Sequence, residues 1–354
     1  MDIFLKRRKA LKEKLYKEDI DAFMVLYPAN RFYLSGFELH DPQCNESAGF
    51  LIITKKDKDY LCTDPRYYNA ALRLWEKDSI FIYTTDKYKQ IVDFITKNNI
   101  KNLGFEKDIL TYEFYSHLKE QINMVPYKGF VEQLREMKDE KEIELLKVSC
   151  KLNHKLFEFV KSINVVGMLE TELEWEIEKF FRENGAQEMA FKSIVASGKN
   201  AALPHYIPGK EKIKSDECLL IDTGCRLNAY CSDQTRTFWV GNNAPEYFEK
   251  TAKLVKEAVT LAVENLRPGM VIKDLYFLVK DFFNSHGVGE RFTHALGHGI
   301  GLNTHEPPSI GPKNEKVFKS NMVVTIEPGL YFPEWGGFRW EHMVLIKEDG
   351  VEVL

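Results

Sequence analysis

The chain has few cysteines, little net charge and no long apolar run. Six of its 354 residues are cysteine, and no two of them have the spacing of a CxxC motif. This pattern favours a reducing, cytoplasmic compartment over a disulfide framework. A net charge of −4 gives no indication of a nucleic-acid partner. No apolar stretch approaches membrane-spanning length, and the charged first ten residues do not resemble a secretory signal.

The composition is that of a soluble globular protein with room for two domains. Apolar residues make up 44% of the chain and charged residues 29%, which is ordinary for folded domains. An amphipathic helix over 3–17 and a hairpin over 49–63 follow the helical and strand periodicities. A polar stretch that begins at Gln133 then opens a long helix. We therefore predict a small α/β domain over residues 1–125 and a second domain over 126–354.

The second domain contains the same order of elements twice. Each copy has two helical segments followed by two strand segments, and each strand segment carries one acid. Glu327 follows Asp222 by 105 residues, and Glu341 follows Asp233 by 108. Two such halves that face each other would bring the four carboxylates into one cleft. The predicted helices span 139–161 and 171–184 in the first copy, and 247–266 and 271–286 in the second.

Acids in apolar strand segments need a compensating charge. An ionised carboxylate buried among apolar residues costs several kcal/mol unless it is paired or binds a metal. A tight turn centred on Leu227-Asn228 would pair Asp222 directly with Asp233, with Cβ atoms about 4.5–5.5 Å apart. Two carboxylates so placed can hold two metal ions about 3.5–4 Å apart. An exposed strand end is the alternative for a single acid, but the pairing and its repetition favour a metal site.

One arginine and one histidine are further candidates for this site. Strand alternation over 338–346 puts Arg339 on the same face as Glu341 and puts His342 on the opposite face. Arg339 therefore either orients Glu341 as an ion-pair partner or binds substrate, and both roles remain open. His298 lies between glycines, which let the backbone approach a site closely, and neutral imidazole is a good ligand for first-row metals.

Other histidines and cysteines near these motifs have more ordinary interpretations. His294 precedes His298 by four residues and is more typical of a hydrogen-bonded core histidine. His205 by itself would be a surface-loop histidine. Cys225 and Cys231 flank the first acid pair, but no partner thiol has zinc-site spacing, so we predict that they are strand or turn residues.

Several ordered motifs resemble those of the pita-bread metallopeptidases. This family includes methionine aminopeptidase, aminopeptidase P and prolidase. The segment Asn30–Phe37 (NRFYLSGF) is similar to a segment of the prolidase and aminopeptidase P branch, so the resemblance covers nearly the whole chain. It implies an α/β (α+β) fold, with a small N-terminal creatinase-like domain followed by a pseudo-twofold pita-bread catalytic domain. The motifs are IDTG, SDQTRTF, HALGHGIGL, HEPP, TIEPGLY and FRWEHMV.

The resemblance also implies a centre of two divalent metal ions. Asp222 would bind one ion, and Asp233 and Glu341 would bridge both. His298 and Glu327 would complete the second ion. Manganese is expected, because the ligand set is rich in oxygen and has one imidazole, with cobalt and zinc as alternatives.

Two more histidines correspond to the substrate side of the family's site. His205 and His305 match the two substrate-side histidines. The chain departs from the family beside Glu341, where it has Trp340 and His342 and many members have Ile and Asp. This departure bears on substrate preference more than on metal binding.

The function implied by the resemblance is hydrolysis of the Xaa-Pro peptide bond by a hydroxide that bridges the two metals. Glu327 would carry a proton to the leaving nitrogen, and His205 and His305 would orient the peptide with proline at its second position. Dipeptides, as for prolidase, are the favoured substrates. Aminopeptidase P activity on longer peptides and a non-peptidase hydrolase or lyase reaction on a small molecule are the alternatives. A metal-free binding module is less favoured. A cytoplasmic homodimer without nucleic-acid or membrane partners is expected.

Overall fold

The computed structural model describes residues 2–43, 46–56 and 58–354. Cys44, one of the six cysteines, and Asp57, in the predicted hairpin turn, lie outside the described residues. The chain divides into a first unit, Met1–Arg135, and a second unit, Glu136–Leu354. The boundary expected after residue 125 falls inside a strand of the first unit that the periodicity did not reveal.

The first unit is built on one mixed sheet with helices around it. Its described elements are α1 (Ile3–Glu18), β1 (Ala22–Val25), α2 (Pro28–Ser35), β2 (Phe50–Thr54), β3 (Tyr60–Thr63), α3 (Tyr68–Ala71), β4 (Ile80–Ile82), α4 (Lys87–Lys97), β5 (Asn102–Glu106), α5 (Tyr112–Leu118), β6 (Asn123–Tyr127) and α6 (Glu132–Arg135). The strand order is β4-β3-β2-β1-β5-β6. The central strand β1 runs antiparallel to β2 and parallel to β5, and all four of its residues are buried. Such continuous burial is typical of a strand covered on both faces.

A buried carboxylate at the end of β5 holds the chain that enters α2. Glu106 Oε2 accepts hydrogen bonds from the N–H groups of Leu26 and Tyr27, each at 2.7 Å. Its Oε1 accepts one from Asn30 Nδ2 at 2.6 Å. Burial raises the pKa of Glu106 to about 7, against the lowering effect of the hydrogen bonds from Asn30 and Tyr27. Local periodicity does not predict α2, because its position depends on this contact between residues far apart in the sequence.

The second unit contains the two repeated halves expected from the sequence. In both, two helices precede antiparallel strands. The first half consists of α7 (Glu140–Ser162), α8 (Glu170–Glu183), β7 (Glu188–Met189), β8 (Ile194–Ser197), β9 (Glu217–Thr223), β10 (Cys225–Leu227), β11 (Tyr230–Cys231) and β12 (Gln234–Val240). The second consists of α9 (Glu246–Asn265), α10 (Ile272–Ser285), β13 (Gly297–Gly299), β14 (Glu306–Ile310), β15 (Val323–Ile326), β16 (Gly329–Phe332), β17 (Gly336–Arg339), β18 (His342–Lys347) and β19 (Gly350–Val353). Among the described helices of both units, none is long and apolar enough to cross a membrane.

Each half places its acids at a sheet. The first sheet has the order β12-β9-β8, and the second has the order β14-β13-β15-β18-β19. Asp222 lies in β9, and Asp233 immediately precedes β12. Glu327 follows β15, and Glu341 precedes β18. Three of the four acids therefore lie at strand ends, where a side chain can leave the sheet and reach a cavity.

The first acid pair has a register two residues away from the predicted one. The turn lies at Asn228-Ala229, where φ is 51° and 73°, and not at Leu227-Asn228. As a result Asp222 pairs with Thr235, so its predicted direct pairing with Asp233 was wrong. Positive φ at both central residues is the geometry of the two-residue turn that best suits a twisted hairpin. A shift by two residues leaves both acids on the same face of the sheet.

The last predicted strand is interrupted at Trp340-Glu341. The strand β17 ends at Arg339 and pairs with β16, whereas β18 begins at His342 and pairs with β15. At the interruption the N–H of Glu341 donates to the carbonyl oxygen of Thr235 at 3.3 Å. This contact attaches Glu341, an acid of the second half, to β12 of the first half. It brings the two predicted acid pairs together.

Candidate metal centre

One cavity of the second unit contains every site residue predicted from the sequence. Its volume is about 710 Å³. Strand ends contribute the acids and Arg339, and connecting segments contribute His205 and His305. The predicted residues in its wall are Asp222, Asp233, His298, Glu327, Glu341, His205, His305 and Arg339.

Three of the predicted ligands form the centre of this cluster. Asp233, His298 and Glu341 each offer one ligand atom, and these atoms lie within 4.8 Å of one another. His298 Nε2 lies 3.4 Å from Asp233 Oδ2 and 3.4 Å from Glu327 Oε1. His298 Nδ1 lies 3.0 Å from the carbonyl oxygen of Gly299, which can only accept a hydrogen bond. In the neutral imidazole this contact favours the proton on Nδ1, which leaves the lone pair of Nε2 available for a metal.

Arg339 is an ion-pair partner, but of Asp222 and not of Glu341. Its Nη2 lies 2.7 Å from Asp222 Oδ2, with both side chains largely buried. Its Nε donates to Thr235 Oγ1 at 2.9 Å, and that hydroxyl donates to Glu341 Oε2 at 2.9 Å. Thr235 thus connects Arg339 to Glu341. Its position two residues after Asp233, on the same strand face, was a signal that could have identified it.

A second chain of hydrogen bonds leaves Arg339 on its other side. Arg339 Nη1 donates to Tyr331 Oη at 2.8 Å, and Tyr331 Oη lies 2.8 Å from His294 Nε2. His294 Nδ1 lies 2.8 Å from the carbonyl oxygen of Ala295, so Nδ1 carries the proton and Nε2 accepts from Tyr331. Burial, with the nearby Arg339 charge, lowers the pKa of His294 to about 4. His294 is thus the hydrogen-bonded histidine expected from the sequence, whereas Tyr331 had not been singled out.

Ionising all the carboxylates of the cluster at once costs free energy. Burial, followed by repulsion from Asp222 and Glu327, raises the pKa of Asp233 well above its ordinary range. Burial, followed by repulsion from Asp233, does the same for Glu341. Burial also raises the pKa of Glu327, although His298 opposes the rise. Divalent cations between these groups would remove both the desolvation and the repulsion.

Two carboxylate oxygens test whether the residues fit such cations. Asp222 Oδ1 and Glu341 Oε1 are buried, and neither accepts a hydrogen bond from any described residue. In each group the other oxygen is engaged, by Arg339 and Thr235 respectively. Buried oxygens are almost always satisfied, so two orphan lone pairs beside the free Nε2 of His298 form a suitable donor set for metals. The residues present therefore fit a divalent metal centre.

The two substrate-side histidines lie at more exposed positions of the wall. The ring of His305 lies 4.3 Å from that of His298, measured between centroids. Burial, followed by the neighbouring His298, lowers the pKa of His305 to about 4, so its imidazole is neutral at physiological pH. His205 lies in the segment between β8 and β9 and is exposed at the cavity.

The two cysteines and the histidine that were predicted not to bind a metal lie outside the metal cluster. Cys225 and Cys231 are buried, and the candidate cluster found among the described residues contains no cysteine. Burial raises the pKa of the Cys231 thiol to about 12, which makes it a poor ligand. His342 is not part of the cavity wall, in agreement with the predicted strand alternation.

The paired halves and the cluster of acids around one histidine define a metallopeptidase. Residues 144–348 match the family model described as metallopeptidase family M24, and residues 7–137 match the Creatinase/Prolidase N-terminal domain. The chain belongs to metallopeptidase family M24, with a Creatinase/Prolidase N-terminal domain before it. The fold and the family expected from the motifs are thereby confirmed.

Similarity to individual proteins extends over both units. The chain is 33% identical to the Xaa-Pro dipeptidase of Pyrococcus horikoshii, over 99% of this chain and 97% of that protein. The solved structure of an Xaa-Pro dipeptidase from Bacillus anthracis is 32% identical, with a TM-score of 0.92 and coverage of 99% and 97%. An X-Pro aminopeptidase structure from Thermotoga maritima is 30% identical, with a TM-score of 0.86 and coverage of 97% and 96%.

Proposed function

We propose that this metallopeptidase hydrolyses the Xaa-Pro bond of dipeptides, with two divalent cations held by the five ligand-type residues. Relatives named Xaa-Pro dipeptidases are similar over both units, which supports the substrate class. The observation that carries the proposal is one cavity whose wall combines the acid and histidine cluster with two further histidines. The proposed ligands are Asp222, Asp233, His298, Glu327 and Glu341.

In this reaction the bound cations would act as Lewis acids and lower the pKa of water, so that a nucleophile is available at neutral pH. Glu327 is the proposed proton carrier, because it lies beside His298 and is only partly buried. It would take a proton from the attacking water and deliver it to the leaving nitrogen. The nitrogen of a proline residue has no N–H before cleavage, so its protonation has to accompany bond breaking.

The histidines of the wall are proposed to bind the peptide and the developing oxyanion. Neutral His305 can donate one hydrogen bond from its ring, to a carbonyl oxygen that becomes negative in the transition state. His205 is proposed to share this role from the neighbouring segment. Arg339 contributes indirectly, because its hydrogen bonds fix Asp222 and, through Thr235, Glu341.

The preference for dipeptides requires a cation for the free carboxylate of proline. Apart from histidines, the cavity wall includes two cationic side chains, Arg339 and Lys192. Arg339 already makes four hydrogen bonds within the protein. Lys192 is exposed, and its charge acts on Glu174, where burial raises the pKa and Lys192 opposes the rise. We propose that its ammonium group attracts the carboxylate of the substrate.

A comparison of substrates tests the proposal directly. Purified protein would be assayed with an Xaa-Pro dipeptide, with the corresponding Xaa-Pro-Yaa tripeptide and with a dipeptide that lacks proline. We expect the first to be cleaved fastest. Cleavage of the tripeptide alone would show aminopeptidase P activity, the second candidate, which the similarity to the X-Pro aminopeptidase favours. Inactivity on all proline peptides in metal-loaded protein would point to a non-peptidase reaction.

We also propose manganese as the metal, a homodimer as the assembly and the cytoplasm as the location. Manganese suits an oxygen-rich ligand set with one imidazole. Chelation should abolish the activity, and addition of manganese should restore it more fully than cobalt or zinc. Elemental analysis should then find two metal ions per chain. Light scattering of the purified protein would test the dimer.

A further inference from the structure

A second buried carboxylate lies outside the metal cluster and has no charged partner among the described residues. Glu170 is the first residue of α8, and its side chain is completely buried. Burial alone would raise its pKa, but hydrogen bonds, beginning with that from Asn200, outweigh burial and lower it. The group is therefore ionised at neutral pH and compensated by neutral donors.

All five donors to Glu170 come from the stretch 197–209, between β8 and β9. Its Oε1 accepts from the Ser197 N–H at 2.8 Å, from the Ser197 hydroxyl at 2.9 Å and from Asn200 Nδ2 at 3.0 Å. Its Oε2 accepts from the Tyr206 hydroxyl at 2.8 Å and from the Gly209 N–H at 3.1 Å. Asn200 Nδ2 also donates to Tyr206 Oη at 2.9 Å. One ionised carboxylate thus fastens the stretch at several points.

This stretch carries His205 into the cavity wall. On one side of His205, the Pro204 carbonyl oxygen accepts from Arg339 Nη1 at 3.3 Å. On the other side, Tyr206 is held by Glu170. The side chains of Leu203 and Ile207 are 56% and 67% exposed and add little packing, whereas the ring of Tyr206 packs against the apolar core. The placement of His205 therefore depends on these polar contacts together with the packing of the Tyr206 ring.

Gly209 shows how closely this arrangement is packed. A Cβ atom at this position would lie 3.1 Å from Tyr206 Oη and 3.7 Å from Glu170 Oε2. Glycine lets the backbone approach the carboxylate and present its N–H. Removing the Tyr206 hydroxyl would therefore leave an ionised carboxylate short of a donor and the adjacent histidine without its support.

We propose that Glu170 and Tyr206 are positioning residues that hold His205 for the transition state. The inference rests on the proposed function, in which His205 contacts the peptide. Neither residue is among the proposed metal ligands, and although Tyr206 lines the cavity, its hydroxyl is engaged by Glu170 and Asn200, so we assign both residues an indirect role through His205. These contacts fix the position of His205, although its side chain is exposed in the segment between β8 and β9.

The test compares Tyr206→Phe, Glu170→Gln, His205→Ala and the double variant Tyr206→Phe/His205→Ala in the full, metal-loaded chain. Tyr206→Phe should reduce kcat about tenfold, since small misplacements of a reacting group cost up to about a hundredfold. In the His205→Ala background it should have no further effect. Metal content should be unchanged in all variants. Tyr112→Phe, which removes a hydroxyl from a 78% exposed side chain of the first unit, should change kcat less than twofold, a change of about 0.4 kcal/mol at most.

A readout that needs no substrate separates this inference from the proposed function. Amide hydrogen exchange of the peptide covering 203–208 should become faster in Tyr206→Phe and in Glu170→Gln, and remain unchanged in Tyr112→Phe. Unchanged exchange in both first variants would overturn the positioning role, whatever the substrate is. Equal kinetic effects of Tyr206→Phe with and without His205 would also overturn it. If the unmodified protein does not hydrolyse Xaa-Pro peptides but the variants show the expected faster hydrogen exchange, the proposed function alone would be rejected.

Discussion

Two regions of the molecule bury carboxylates in opposite ways. In the first unit, Glu106 has donors on both oxygens, two backbone N–H groups and one side-chain amide. In the second unit, Asp222 and Glu341 each keep one buried oxygen that no described donor reaches. A carboxylate that organises the fold is surrounded by N–H groups, whereas one that holds a cation keeps free lone pairs. Glu170, with five donors, follows the first pattern although it lies near the cavity.

The largest expected effect is at the cluster itself. Glu341→Gln should lower kcat/KM at least about a thousandfold and reduce the bound metal, because the amide cannot supply the charge of the proposed bridging ligand. Steady-state assays and elemental analysis would measure this. Glu352→Gln is the matched control. That glutamate pairs with Lys147 and Lys347 near the surface, and its replacement should leave both quantities unchanged. Full metal content in Glu341→Gln would contradict the proposal that Glu341, unlike Glu106, is a metal ligand.

The contrasting effect at Glu106 is on stability. Its folded pKa is about 7 against an ordinary value of 4.5, so the folded state keeps a proton that the unfolded state loses between these values. The stability contributed by Glu106 is full below pH 4.5 and falls by about 3 kcal/mol as the pH rises to 7.

Hydrogen exchange of β5 and α2 as a function of pH would measure this decline. Glu106→Gln should lack the decline and retain a normal metal content and kcat. A parallel decline in both proteins would show that another group is responsible.

A smaller effect should follow from loosening Asp222. Arg339→Lys keeps the charge but cannot contact Asp222, Thr235 and Tyr331 at the same time. We expect metal affinity to fall about ten- to a hundredfold, as is usual when a group that orients a metal ligand is lost. Competition with a chelator would measure it. Arg291→Lys, at a surface pair with Glu334, is the control. Equal affinities of Arg339→Lys and the parent would mean that Asp222 does not need this anchor.

The smallest effect is expected at Lys192, which lines the cavity together with Arg339. Arg339 makes four side-chain hydrogen bonds within the protein, whereas Lys192 is exposed and interacts electrostatically with Glu174. Lys192→Met should raise KM for an Xaa-Pro dipeptide about fivefold, which corresponds to about 1 kcal/mol for an exposed ion pair. It should not change KM for the same dipeptide with an amidated C-terminus. An equal change for both substrates would exclude recognition of the carboxylate by Lys192.

The parts of the molecule that sequence could predict are those with local signals. Helical periodicity predicts the bounds of α7, α8, α9 and α10 to within a few residues. The repeated order of elements predicts that the four acids lie in one cleft, where the structure has them. The motif around His298 identified the histidine of the cluster.

The parts that sequence could not predict depend on contacts between distant residues. The position of α2 depends on Glu106, and the interruption at Trp340-Glu341 depends on the bond from Glu341 to Thr235. The register of the hairpin depends on which two residues adopt the left-handed conformation at its turn. These residues are Asn228 and Ala229, and the sequence does not single out Ala229 for such a conformation. Glu170 belongs to no motif, and Tyr331 ends the motif TIEPGLY without revealing its role, because both roles exist only once the cavity wall has formed.

The backbone bond between Glu341 and Thr235 has a consequence for biosynthesis. The residues of the cluster are spread along the sequence from 222 to 341, and the last of them docks onto a strand made more than a hundred residues earlier. With the proposed ligands, a nascent chain therefore lacks a complete ligand set until that late segment has left the ribosome. On the proposed ligand set, complete metal loading would be a late step of maturation, and chains that end before Glu341 would lack it.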